Sequence, residues 1–99
     1  YVKDCVKILI WFMEHSNKSG LFNVGTGEAR TFNTLVSNVY KTMNKNININ
    51  YIDMPKNIKN QYQYITKADL GNLRSIGYTF PFTSLEEGIK DYINNYLIN

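Results

Sequence analysis

The apolar positions of the chain fall into runs with different periods. From Asp4 to Glu14, residues Val6, Ile8, Leu9, Ile10, Trp11, Phe12 and Met13 cover most of a helix surface, which predicts a helix buried on more than one side. Asp4 is placed to cap its start by accepting from amides that lack helical partners, and Tyr1-Val2 ahead of it reads as strand-like. "HSNKSG", His15 to Gly20, has loop chemistry, and Leu21 to Val24 reads as a short strand. Leu35, Val36, Val39, Tyr40 and Met43 then recur at helical spacing, with Thr31 as the expected cap. In "NININYI", Ile47, Ile49 and Tyr51 alternate with asparagine, the period of a half-buried strand.

The second half is punctuated by two capping-box patterns, "TKAD" at Thr66–Asp69 and "TSLE" at Thr83–Glu86. The first predicts a short helix with Leu70 and Leu73, closed at Gly77 in a left-handed turn. The second predicts a terminal helix with Leu85, Ile89, Ile93, Tyr96 and Leu97 on one side. Pro55 to Ile65 reads as a polar, tyrosine-bearing loop. The order α-β-α-β-loop-α-α predicts an α/β fold. Two strands make a poor sheet alone, so the pattern implies sheet partners beyond these elements.

Composition narrows the class. Ninety-nine residues with 43% apolar content suit one small domain or a piece of a larger one, and the opening at Tyr1 favours a piece. The longest apolar run, Ile8 to Met13, is six residues, against the roughly 20 that a membrane helix needs. With no signal-peptide pattern, the expectation is a soluble cytoplasmic chain. The single cysteine, Cys5, excludes an internal disulfide and reads as a small buried hydrophobe. The net charge of +3 comes from scattered lysines and only two arginines, Arg30 and Arg74, which reads as solvated surface charge rather than a nucleic-acid face.

"LFNVGTGEARTF", Leu21 to Phe32, runs a strand through glycines into a helix, as phosphate-binding loops do. A dinucleotide fingerprint requires a third glycine, and its position holds Arg30; the Gly-Lys-Ser/Thr end of a P-loop is also absent. Gly25 and Gly27 therefore read as a tight turn serving backbone geometry. His15, the only histidine, lies at a helix end and reads as a solvated residue. Glu86 and Glu87 are adjacent, so on a helix they point about 100° apart. Asp4 and Asp53 lie at element ends, and no Tyr-x-x-x-Lys pair occurs. The residues contain no complete active site: no catalytic, cofactor-binding or metal-binding set is present.

The runs "YVKD", "WFMEH", "SGLFNVGTGEARTFNTL", "INYIDMP", "QYQYITKADLGNLRSIGY" and "PFTSLEEGIKDY" together resemble the C-terminal third of the ADP-glyceromanno-heptose 6-epimerase family. That family belongs to the extended short-chain dehydrogenase/reductase superfamily of NAD-dependent epimerases and dehydratases. The resemblance spans essentially all 99 residues. The broad pattern "YVKD", "FNVGTG" and "SLEEGI" is shared with many nucleotide-sugar enzymes, and "YIDMP" followed by "YQYITKADLGNLRSIGY" selects the heptose family.

The resemblance implies an NADP-dependent isomerase that interconverts ADP-D-glycero- and ADP-L-glycero-D-manno-heptose for the lipopolysaccharide inner core. It implies that NADP and the catalytic residues belong to an N-terminal portion of the parent enzyme. Residues 1–99 would then be late elements of the Rossmann-type nucleotide-binding domain plus most of the smaller substrate domain, inactive alone. One binding residue carries over: Tyr62 matches the tyrosine that contacts the ADP-sugar. A phenol suits that role with its stacking face and hydroxyl. Gln61 stands where the family often has a basic residue, with Lys59 two residues earlier. The implied partners are an ADP-sugar and further copies of the chain, typically in a pentamer, with no nucleic acid and no membrane. Two alternatives stay open: another nucleotide-sugar epimerase or dehydratase, and a small basic module that binds RNA or another polyanion.

Overall fold

Helices form where apolar spacing and capping residues agree. The computed structural model describes residues Tyr1 to Ile98, which carry five α-helices. They are α1 (Val2–Glu14), α2 (Phe32–Thr42), α3 (Lys56–Lys59), α4 (Gly71–Ser75) and α5 (Leu85–Tyr92), and α5 widens into a π-helical turn over Ile93–Leu97. Thr31 caps α2 as expected, its hydroxyl accepting from the Thr34 amide at 3.1 Å. Beyond α2, Asn44 takes φ +57°, a left-handed conformation that asparagine tolerates, and the chain turns away.

Three predicted boundaries shift, each because a side chain finds a better partner. α1 begins at Val2, so Tyr1-Val2 is not a strand and Asp4 lies inside the helix rather than capping it. Asp4 is buried and accepts from both the backbone amide and the hydroxyl of Thr83, at 3.0 and 2.8 Å. With Thr83 so engaged, the cap of α5 moves to Ser84, whose hydroxyl accepts from the Glu87 amide at 3.2 Å. Thr66 opens no helix: its hydroxyl donates to Gln63, and α4 starts five residues later, where Asp69 Oδ1 accepts from the Gly71 amide at 2.9 Å. Gly77 closes α4 at φ +108°, as its position predicts.

The α/β expectation is not met: no strand occurs among the described residues. Leu21–Val24 and Ile47–Tyr51 lie outside any helix, and neither pairs with another segment. A strand exists only through ladder bonds to another strand, and neither segment makes them among the described residues. The Ile47–Tyr51 segment is tied instead to α2, the Tyr40 hydroxyl donating to the Asn48 carbonyl at 3.0 Å.

Ile8, Trp11, Leu73 and Tyr78 form the core, with Phe12, Phe22, Leu70, Ile76 and Phe82 packed around them. The Tyr78 ring meets Trp11 edge-on at 5.5 Å, and burial pushes the Tyr78 phenol up from its ordinary pKa. α2 packs against α5 and the π turn, where Ile93 is buried. The wider turn rotates Tyr96 and Leu97 off the predicted stripe, and both are exposed. Only one face of α1 is covered. Cys5 is exposed, contrary to its expected burial, because it lies off the face carrying Asp4, Ile8 and Trp11. The radius of gyration is 17.1 Å, against about 13 Å for a compact domain of this length. No helix among the described residues is long and apolar enough to cross a membrane.

Candidate functional site

The glycine turn is built by packing. Gly27 has φ +77°, which L side chains rarely adopt, and a Cβ there would lie 3.2 Å from Leu70 Cδ1. A Cβ on Gly25 would lie 2.9 Å from the Cβ of Ala68. Both glycines thus serve backbone geometry and close approach. Ala68 and Leu70 pack directly against the two glycines, so the turn is held by close approach of its backbone to these side chains.

Beside this turn lies an open cavity of about 1070 Å³ between the start of α1, the Thr26–Arg30 loop and α5. Phe82, Leu85, Ile89 and Tyr92 line its apolar wall. Both arginines of the chain reach its lining, which the even scatter of cations along the sequence did not reveal. Arg30 forms a two-pronged ion pair with Glu86, one contact at 3.2 Å to Oε2 and a second to Oε1. The pair holds the Glu86 carboxyl below and the Arg30 guanidinium above their ordinary pKa values. Glu86 therefore spends its carboxylate on Arg30, not on the capping role predicted for it. Arg74 donates through Nη1 to the carbonyls of Tyr78 and Phe80 at 2.8 and 2.7 Å, with its guanidinium 5.1 Å from the Phe82 ring centre. Engaged in this way, both arginines shape the cavity wall. Glu28 is the one carboxylate among the residues that line the cavity.

Tyr62 lies in the loop after α3, part-exposed, with its ring edge-on to Tyr64 at 5.4 Å. It lines neither the large cavity nor a second one of about 440 Å³ beside Trp11 and Tyr78. Gln61 and Lys59 beside it are exposed. His15 is less solvated than expected: its ring stacks on Trp11 at 4.1 Å and Nδ1 lies 2.7 Å from the Trp11 carbonyl. That contact closes the end of α1 and leaves the histidine a structural job.

No protein-family model matches the chain. It is 45% identical over 97 residues to the ADP-L-glycero-D-manno-heptose-6-epimerase of Nitratidesulfovibrio vulgaris, covering 98% of this chain and 30% of that protein. The enzyme of the same name from Fusobacterium nucleatum is 43% identical over 103 residues, with 98% and 31% covered. That from Alkalilimnicola ehrlichii is 39% identical over 93 residues, with 94% and 29% covered. The chain thus spans about 30% of the length of the relatives it matches. Over almost its whole length, the chain is similar to a C-terminal portion of the ADP-L-glycero-D-manno-heptose-6-epimerases.

Proposed function

We propose that this chain forms the substrate-side C-terminal part of an ADP-glyceromanno-heptose 6-epimerase, an NADP-dependent sugar-nucleotide isomerase. The observation that carries the reading is 45% identity across 98% of the chain. The parent fold is the Rossmann-type α/β fold, in which Leu21–Val24 is a strand that finds its partners in the nucleotide-binding domain. NADP and the redox chemistry belong to that domain. The chain's own task is to hold the ADP-sugar, with Tyr62 offering a stacking face and a hydroxyl to the nucleotide. The enzyme acts in the cytoplasm as a homo-oligomer.

A chimeric epimerase tests this reading. Residues 1–99 replace the matching segment of the Nitratidesulfovibrio vulgaris enzyme, and NMR follows conversion of ADP-D-glycero- to ADP-L-glycero-manno-heptose. Turnover of that substrate is expected, with Tyr62→Ala raising KM about tenfold or more and Tyr62→Phe raising it less, in line with the roughly 1–2 kcal/mol typical of a ring contact and a hydroxyl bond. A folded chimera that epimerises only a different sugar nucleotide overturns the heptose assignment. An unchanged KM in Tyr62→Ala removes Tyr62 from the site.

A further inference from the structure

The second cleft, of about 440 Å³, opens between α1 and residues 78–81, and it shares only Pro81 with the large cavity. Lys7, Ile10, Trp11 and Glu14 supply one wall, and their spacing puts all four on one face of the helix. Tyr78, Phe80 and Pro81 supply the other. Both walls are fixed by contacts of their own. His15 stacks on the Trp11 ring at 4.1 Å, and the carbonyls of Tyr78 and Phe80 accept from Arg74 at 2.8 and 2.7 Å. The lining is mostly apolar, with Ile10 49% and Phe80 56% exposed. Its volume falls in the range of small-ligand sites, roughly 300–1,000 Å³.

Three polar groups in this cleft have no protein partner among the described residues. Lys7 and Glu14 join none of the ion pairs. Seven positions apart on α1, they stand almost in line, about 10.5 Å from each other along the helix axis. The third is the Tyr78 hydroxyl. Tyr78 is only 3% exposed and its hydroxyl makes no hydrogen bond, yet no buried side-chain nitrogen or oxygen is left without a partner. The hydroxyl therefore reaches solvent, and this cleft is the cavity that Tyr78 lines. Burial pushes its pKa up, so at neutral pH it is a donor.

We propose that this cleft binds a short extended peptide with free termini. Its carboxylate pairs with Lys7 and its ammonium with Glu14, while an apolar side chain lies against Ile10, Trp11 and Phe80. The Tyr78 hydroxyl donates to a peptide carbonyl between the two ends. The span selects about three residues, since an extended chain covers roughly 3.3–3.6 Å per residue. A single amino acid is too short to reach both charges. A purely apolar ligand would leave all three polar groups without a partner, which costs free energy once water is displaced.

Trp11, the only tryptophan, makes binding visible. The tripeptide Ala-Leu-Ala is titrated into the full chain while Trp11 fluorescence is followed, and a saturable change is expected. Acetylating the peptide's amino end is expected to weaken binding about tenfold, as the loss of a hydrogen bond to a charged group does. Glu14→Gln is expected to cost the same, and the two changes together no more than either alone. Amidation of the carboxyl end and Lys7→Gln are expected to behave as a second such pair. Lys41→Gln, on α2 and outside the cleft, is expected to leave the affinity unchanged. The circular dichroism of all three variants is expected to match the parent chain. Three results overturn the proposal: no saturable change, an affinity indifferent to acetylation and amidation, or an equal loss in Lys41→Gln, which marks non-specific attraction between charges.

Discussion

Asp4 and Thr83 stand 79 positions apart, and the carboxylate of one accepts both the amide and the hydroxyl of the other. The contact fastens α1 to the segment that leads into α5. Asp4→Ala removes both bonds, and Asp4→Asn keeps a single acceptor. Hydrogen bonds to a charged group contribute about 1.5–3 kcal/mol, so Asp4→Ala is expected to cost roughly that or more and Thr83→Val less. Hydrogen exchange at the Thr83 amide checks it directly. An unchanged exchange rate in Asp4→Ala sinks the assignment.

Gly25 and Gly27 answer differently to an added methyl. Gly25→Ala meets the Ala68 methyl at 2.9 Å and Gly27→Ala adds strain at φ +77°. Each is expected to destabilise by about 1–2 kcal/mol. Ala68→Gly is expected to rescue Gly25→Ala and to do nothing for Gly27→Ala, whose cost lies in the backbone. Thermal unfolding of the two double variants separates the causes.

The Asp91 carboxylate accepts from Lys3 Nζ at 2.7 Å and from the Tyr1 hydroxyl and Asn95, and Lys3 first among these holds its pKa down to about 2. A carboxyl whose folded pKa is depressed contributes stability above its unfolded pKa and loses it as pH falls. The tie between α1 and α5 is therefore expected to hold above about pH 4 and to loosen between roughly pH 4 and 2. Lys3→Met is expected to raise the Asp91 pKa, read by carboxyl NMR titration. A flat titration midpoint in that variant removes Lys3 as the cause.

Trp11 is the only tryptophan, packed between His15 at 4.1 Å, Phe12 at 5.3 Å and Tyr78 at 5.5 Å. Trp11→Ala is expected to cost about 3–5 kcal/mol, the range for removing a large core aromatic. Its fluorescence reports unfolding in every other variant. An unfolding midpoint for Trp11→Ala within error of the parent contradicts the core described above.

Local chemistry was legible in the sequence. The positions of α1, α2 and α5, the Thr31 cap and the Gly77 turn follow from periodicity and from hydrogen bonds that span only a few residues. The turn role of Gly25 and Gly27 was legible as well, because a third glycine is missing from the sequence itself. What tertiary structure decided was every outcome that depends on a distant partner. Thr83 and Ser84 both suit a cap, and Asp4, remote in sequence, claims Thr83 and leaves the cap to Ser84. Cys5 and Ile8 lie on the same helix, but only Ile8 faces Leu73 and Tyr78. Leu21–Val24 has the composition of a strand without its ladder, because a strand is completed by its neighbour's hydrogen bonds, and no local pattern supplies a neighbour.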